Sequence, residues 1–199
     1  MPAPVPVTED VTWIGMNDRD TDLFESLWPL PRGVSYNSYL ICDEKVAVVD
    51  TVKNKGPETY VSKIRSLLPE GKGVDYLIIN HMEPDHSGSV KLLCDLFPGL
   101  TIIGNKKTVR FLADFYGITE NIRVVEDGDE LDLGRHKLKF HLTPMVHWPE
   151  TMMTYDATDR ILFSGDAFGG FGALDGGVFD DEVEKIGRAS CRERVCVGV

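Results

Sequence analysis

The greatest density of chemically capable side chains lies in Asn80-His81-Met82-Glu83-Pro84-Asp85-His86-Ser87-Gly88, where two imidazoles and two carboxylates fall within six positions. Imidazole and carboxylate are both metal ligands, and such clustering with Pro84 stiffening the segment points to a metal site more than to scattered caps. The run follows a short apolar stretch, Tyr76 to Ile79, and precedes a helix-like one, Val90 to Leu96, so the four residues occupy one strand-to-helix loop. If the chain leaves the strand extended, His81 and Glu83 share a side, while Asp85 and His86 turn toward a neighbouring point. That arrangement suits two adjacent metal ions better than one.

Two later positions extend the constellation. His147, in Pro144-Met145-Val146-His147-Trp148-Pro149-Glu150, ends a strand at a turn, where an imidazole can point across the sheet edge. Asp166, in Phe163-Ser164-Gly165-Asp166-Ala167-Phe168-Gly169, also follows an apolar strand, with nearby glycines that allow close backbone approach. A carboxylate there can bridge two ions.

The elements that must position these residues alternate through the first part of the chain. Val11 to Gly15 reads as a strand, and Tyr36 to Cys42 and Lys45 to Val52 as a hairpin around Asp43-Glu44. A helix begins at Pro57, with Tyr60, Val61, Ile64, Leu67 and Leu68 as its apolar face, and ends before Pro69 and Gly71. Beyond the histidine-rich loop come a helix from about Ser89 to Phe97, a strand over Leu100 to Ile103, and a helix from Lys106 to Tyr116 stopped by Gly117. The pattern then changes to β-ribbon: Ile122 to Val125, Glu130 to Leu133, Leu138 to Pro144, and a hairpin of Met152 to Tyr155 with Ile161 to Phe163. A strand-helix sheet followed by further strands predicts an α/β fold of two face-to-face sheets with helices outside, four layers in all.

The chain has 199 residues, 42% apolar and 27% charged, with a formal net charge of -11, the profile of one well-cored domain. That charge argues against nucleic acid as a partner. No segment has the features of a signal peptide or the length to span a bilayer, so the reading is cytoplasmic, with no membrane partner. Cys42 and Cys94 read as buried free thiols. Residues 186–199 turn abruptly basic with no apolar period and read as a non-native tail, leaving a domain over 1–185.

Taken together, His81-x-Glu83-x-Asp85-His86, then His147, then Asp166 resemble the metallo-β-lactamase fold in the variant carried by flavodiiron proteins. Tyr36 to Leu40, Val48 to Val52, Asn80 to Gly88, His147-Trp148-Pro149 and Ser164 to Gly169 are similar to that family's successive signatures, in order, from about Val11 to Glu184. The resemblance implies a metallo-β-lactamase-like αββα four-layer sandwich, incomplete at its C-terminal side. Zinc hydrolases of this fold usually carry His where Glu83 stands. A carboxylate there, with Asp85 and Asp166, puts three negative charges on the site, and hard oxygen donors favour iron over the nitrogen-rich preference of zinc.

By resemblance, His81, Glu83 and His147 bind one iron, Asp85 and His86 the other, and Asp166 bridges them. The family's second iron takes a further His from beyond this chain's end. Neither His136 nor His141 matches it, and both are expected at the surface or on strands. The implied activity is reduction of dioxygen to water or of nitric oxide to nitrous oxide, with electrons from FMN on a flavodoxin-like domain that follows in the family. A rubredoxin-like or flavin-reductase donor and a homodimer or homotetramer are implied as well. Phe24 and Trp148 are candidates to line the gas pocket. Without the flavodoxin-like domain and the further His, weak metal binding and little turnover are expected of the chain alone. Two other readings stand beside this one: a zinc-dependent hydrolase of the same fold, and a non-catalytic fragment with an unpaired sheet edge.

Overall fold

The structure, a computed structural model, describes residues 3–24 and 26–173, and the backbone of residues 194–196. Its first strands are β1 (Val5–Pro6), β2 (Val11–Trp13), β3 (Met16–Asp18), β4 (Leu23–Phe24), β5 (Trp28–Pro29), β6 (Val34–Tyr36), β7 (Tyr39–Cys42) and β8 (Val46–Val49). There follow α1 (Pro57–Leu67), β9 (Tyr76–Ile78), α2 (Pro84–Ser87), α3 (Val90–Leu96), β10 (Thr101–Gly104), α4 (Lys106–Tyr116) and β11 (Ile122–Val124). The remainder is β12 (Glu130–Asp132), β13 (Lys137–Leu142), β14 (Met152–Asp156), β15 (Ile161–Phe163) and β16 (Arg194–Cys196).

A seven-stranded sheet has the order β1-β2-β7-β8-β9-β10-β11, antiparallel up to the β7–β8 hairpin and parallel from β8 onward. A five-stranded sheet, β12-β13-β14-β15-β16, is antiparallel except for its last pair. The alternation of each strand separates two cores. Leu40, Val48, Leu77 and Ile102 face Tyr60, Ile64, Leu93 and Leu112 of the helices. Tyr39, Val49, Ile78 and Ile103 face Leu138, Phe140, Ile161 and Phe163 of the second sheet, where the Tyr39 and Phe163 rings lie 5.0 Å apart. Helices, sheet and sheet give three of the four expected layers among the described residues.

Several expected elements are placed differently. The single run Tyr36 to Cys42 is two strands: β6 pairs with β3 in a small ribbon, and only β7 enters the large sheet. Ile122–Val124 is the parallel edge of the first sheet beside β10, not part of the ribbon, which begins at Glu130. The inner face of α1 includes buried Lys63, whose Nζ donates to Gly15 O at 2.5 Å and lies 5.1 Å over the Trp13 ring. Cys42 and Cys94 are half-buried free thiols. In the basic tail, the backbone of Arg194–Cys196 pairs with β15, whereas the non-catalytic-fragment reading expected an unpaired sheet edge; residues 186–193 and 197–199 lie outside the described residues. No helix among the described residues is long and apolar enough to cross a membrane.

Candidate metal centre

The six residues singled out in the sequence converge where the two sheets meet. Asn80, just past β9, holds that meeting point: its O accepts from Met152 N at 2.9 Å, its Oδ1 from Thr154 Oγ1 at 2.7 Å, and its Nδ2 donates to Phe163 O at 3.4 Å. Strand β9 is thereby registered against β14 and β15, so His81 emerges beside the turns that carry His147 and Asp166. The loop then tightens into the helical turn α2, with Pro84 at its first position and the Ser87 hydroxyl donating to Met82 O and Glu83 O at 2.7 and 3.0 Å. Gly88 lets this turn press on the preceding crossover, because a Cβ there would stand 2.6 Å from Pro84 O and 2.9 Å from Asn54 N.

The ligand-type atoms fall into two groups. His81, Glu83, His147 and Asp166 form one, with donor atoms all within 4.8 Å of one another, and Asp85, His86 and Asp166 form the second on the same criterion. Glu83 Oε2 lies 3.1 Å from His81 Nε2 and 2.8 Å from His147 Nε2. Asp166 divides its oxygens between the groups: Oδ2 faces His81 and His147 at 3.4 and 3.3 Å, and Oδ1 meets His86 Nε2 at 2.6 Å. Glu83, Asp85 and both motif histidines are buried, whereas the His147 side chain is 57% exposed.

The electrostatics follow from this crowding. Burial opposes charge on His81, but the Glu150 and Glu83 carboxylates outweigh it and push its pKa up to about 9. His86 is likewise buried, yet Asp85 and Asp166 hold it well above the usual imidazole range. Burial raises Asp85, while Glu83 and Asp166 are held low by their imidazole neighbours despite burial. Asp85 Oδ1 is buried with no hydrogen-bond partner among the described residues. An orphaned buried acceptor of this kind, within a set of oxygen and nitrogen ligands converging on two points, fits a pair of metal ions.

Two carboxylates not singled out for the site stand behind its histidines. Asp50, at the end of β8 in the left-handed region (φ 52), accepts from Asn80 N at 2.7 Å and presents Oδ2 3.5 Å from His86 Nδ1. Glu150, fully buried, accepts from His81 Nδ1 at 2.7 Å and from Met82 N at 2.9 Å through Oε1. A carboxylate bounded by apolar residues, as each of these is on at least one side, was the available signal. Of the aromatics considered for a pocket, Phe24 lines one: a cavity of about 370 Å³ walled by Phe24, Leu27, Trp28 and Phe171 opens onto Glu83, Asp85, His147 and Asp166. Trp148 instead packs edge-on behind His81, with ring centroids 5.2 Å apart. His136 is buried, paired through Nδ1 with Asp156 at 2.7 Å, and His141 is a half-buried residue of β13.

A family model described as ODP family beta lactamase matches residues 34–187. The chain belongs to that family. This ODP domain is 40% identical over 181 residues to diflavin flavoprotein A 1 of Synechocystis, covering 90% of the chain and 31% of the relative. It is 39% identical over 182 residues to the anaerobic nitric oxide reductase flavorubredoxin of Salmonella arizonae, covering 90% of the chain and 38% of that protein. The flavodiiron protein crystal structure from Giardia intestinalis superposes with a TM-score of 0.84 at 34% identity, over 92% of the ODP domain's chain and 44% of the Giardia chain. The chain spans about a third of the length of the curated relatives it matches.

Proposed function

We propose that residues 1–185 form the diiron domain of a flavodiiron reductase of dioxygen or nitric oxide. In this reading His81, Glu83 and His147 hold one iron, Asp85 and His86 the other, and Asp166 lies between them. The observation that carries the reading is the donor set: three carboxylates and three histidines in two groups that share Asp166, with an oxygen donor at Glu83. Hard, anionic oxygen donors favour iron across its oxidation states over zinc, which prefers nitrogen and sulfur. Two irons held there would supply the redox chemistry for reducing dioxygen to water or nitric oxide to nitrous oxide, with the FMN providing the electrons that the irons alone do not hold.

The chain's own residues prepare the place. Phe24, Leu27, Trp28 and Phe171 make an apolar wall opposite the carboxylates, suited to a small uncharged gas. Asp166, divided between the groups, fixes their separation. His147, the most exposed of the six, stands at the mouth of the cavity. FMN on a flavodoxin-like domain, a rubredoxin-like or flavin-reductase donor, a homodimer or homotetramer and a cytoplasmic location complete the reading. The relatives named flavorubredoxin and diflavin flavoprotein support the flavin and the donor. The family match ends at residue 187, as the basic segment begins, which supports a domain boundary near 185.

The test is metal analysis of the chain produced with iron and zinc both available, followed by gas uptake after anaerobic chemical reduction. We expect iron in preference to zinc, and oxygen or nitric oxide uptake proportional to bound iron. Bound zinc with thioester hydrolysis and no gas uptake would replace this reading with the hydrolase; a chain that binds no metal would remove both.

A further inference from the structure

Glu150 occupies an unusual position for a carboxylate. It is fully buried, and among the described residues both donors reaching its side chain converge on Oε1 while Oε2 has no partner. A carboxylate that merely satisfied the Met82 amide would not need to be placed against an imidazole 69 residues away. Its partner atom is Nδ1 of His81, and the opposite ring nitrogen, Nε2, is the one that faces Glu83 and Asp166. Oε1 is already the acceptor of the Met82 amide, so at 2.7 Å it is Nδ1 that donates to it and carries the hydrogen. Nε2 is then the ring position left to bind a metal.

The backbone around Glu150 adds a second link. Glu150 follows His147 by three residues in the same loop, and that loop is fastened to the start of α4: Asn105 Nδ2 donates to Glu150 O, and Lys107 Nζ to Pro149 O at 2.9 Å. Within the loop, Met145 N donates to Trp148 O at 2.8 Å, and the Trp148 ring closes on His81 edge-on. One rigid segment therefore carries His147 into the site and braces His81 from behind.

We propose that Glu150 is a positioning residue that fixes His81 as its Nδ1–H tautomer, presents Nε2 to the metal, and locks His81 to the loop bearing His147. This rests on the diiron reading. Outer carboxylates of this kind raise ligand basicity and hold ring orientation, and their loss typically lowers metal affinity about 10- to 100-fold.

The experiment titrates the metal-free full chain anaerobically with Co2+, reading visible absorption for affinity and coordination, in wild type, Glu150→Leu, Glu150→Gln and His81→Ala. Urea unfolding of each metal-free form controls for folding. Glu150→Leu is expected to bind Co2+ about 10- to 100-fold more weakly with an altered spectrum. Glu150→Gln keeps an acceptor for Nδ1–H and Met82 N–H, and is expected to recover most of the affinity and the wild-type spectrum. Glu150→Leu with wild-type affinity and spectrum, while His81→Ala loses both, would show Glu150 to be structural and leave the diiron reading standing. A wild-type chain that takes up no Co2+ would overturn both. Independently of how the variants fold, the histidine 1H–15N spectrum of the Zn2+-loaded wild type should place hydrogen on Nδ1 and metal on Nε2 of His81; metal on Nδ1 would overturn the proposal.

Discussion

Glu83 is the residue on which the chemistry turns. Its Oε2 is the common neighbour of His81 Nε2 and His147 Nε2, so an imidazole in its place would convert one group from mixed to nitrogen-rich without disturbing the other. Glu83→His is therefore expected to raise the zinc-to-iron ratio of the isolated chain, and Glu83→Ala to weaken metal binding by at least the roughly 10-fold seen for loss of outer partners. Metal analysis of wild type and both variants from the same growth medium checks this, and an unchanged ratio in Glu83→His would separate metal choice from this carboxylate. The six residues of the two groups stand out in the sequence because imidazoles and carboxylates cluster at strand ends. Glu150 and Asp50 do not, because their role depends on which atom they face across the fold. Neither spacing nor composition encodes that Glu150 Oε1 lies against His81 and not in solvent. His136, expected at the surface or on a strand, lies between β12 and β13, where the packing of the ribbon buries it.

At the scale of elements, α4 does more than cover the sheet. Asn105 is its N-cap, accepting from Lys107 N at 2.9 Å and Thr108 N at 3.3 Å, while its amide donates to the loop carrying His147. Asn105→Ala is expected to cost about 1 kcal/mol from the cap alone. Losing the amide donor to Glu150 O adds to that, and metal affinity should fall with stability. Chemical unfolding and Co2+ titration of the same variant check the two effects. Asn105→Asp, which keeps the cap but not the donor, should restore the first and not the second. The helices were legible because Pro57 and Gly117 mark their ends and a 3.6-residue period the face of the first. Strand partners were less so. Ile122–Val124 has the same composition whether it joins a ribbon or lies parallel beside β10, and the break at Asn37-Ser38 that sends β6 and β7 to different sheets is a matter of backbone direction, not of apolar content.

At the scale of the molecule, the two sheets are joined at opposite ends by polar networks, and the one far from the metal centre has a pH-dependent consequence. His136 is buried between Asp156, whose Oδ2 lies 2.7 Å from Nδ1, and Asp10, whose Oδ2 lies 3.4 Å from Nε2. Around it, Asp43 of the β7–β8 turn accepts from His136 N at 2.7 Å, and Arg135 spans Asp10 and Asp159 at 3.1 and 2.9 Å. The ribbon is thereby tied to the hairpin turn of the first sheet. Burial disfavours the imidazolium, but the Asp156 carboxylate outweighs it and raises the His136 pKa above its ordinary value. A group raised on folding stabilises fully below its unfolded value, near 6.5, and that contribution is lost as pH rises through the higher folded value. His136→Gln leaves the fully buried Asp156 facing a neutral amide. Breaking a buried pair in this way costs about 3–5 kcal/mol, and the full cost should appear near pH 6. Above the folded pKa the wild type keeps only the neutral hydrogen bond, so the gap between wild type and variant should narrow toward alkaline pH. Unfolding free energies of both proteins across that range measure it. A gap that stays constant would mean that His136 contributes packing and a neutral hydrogen bond, with no charge held between the sheets.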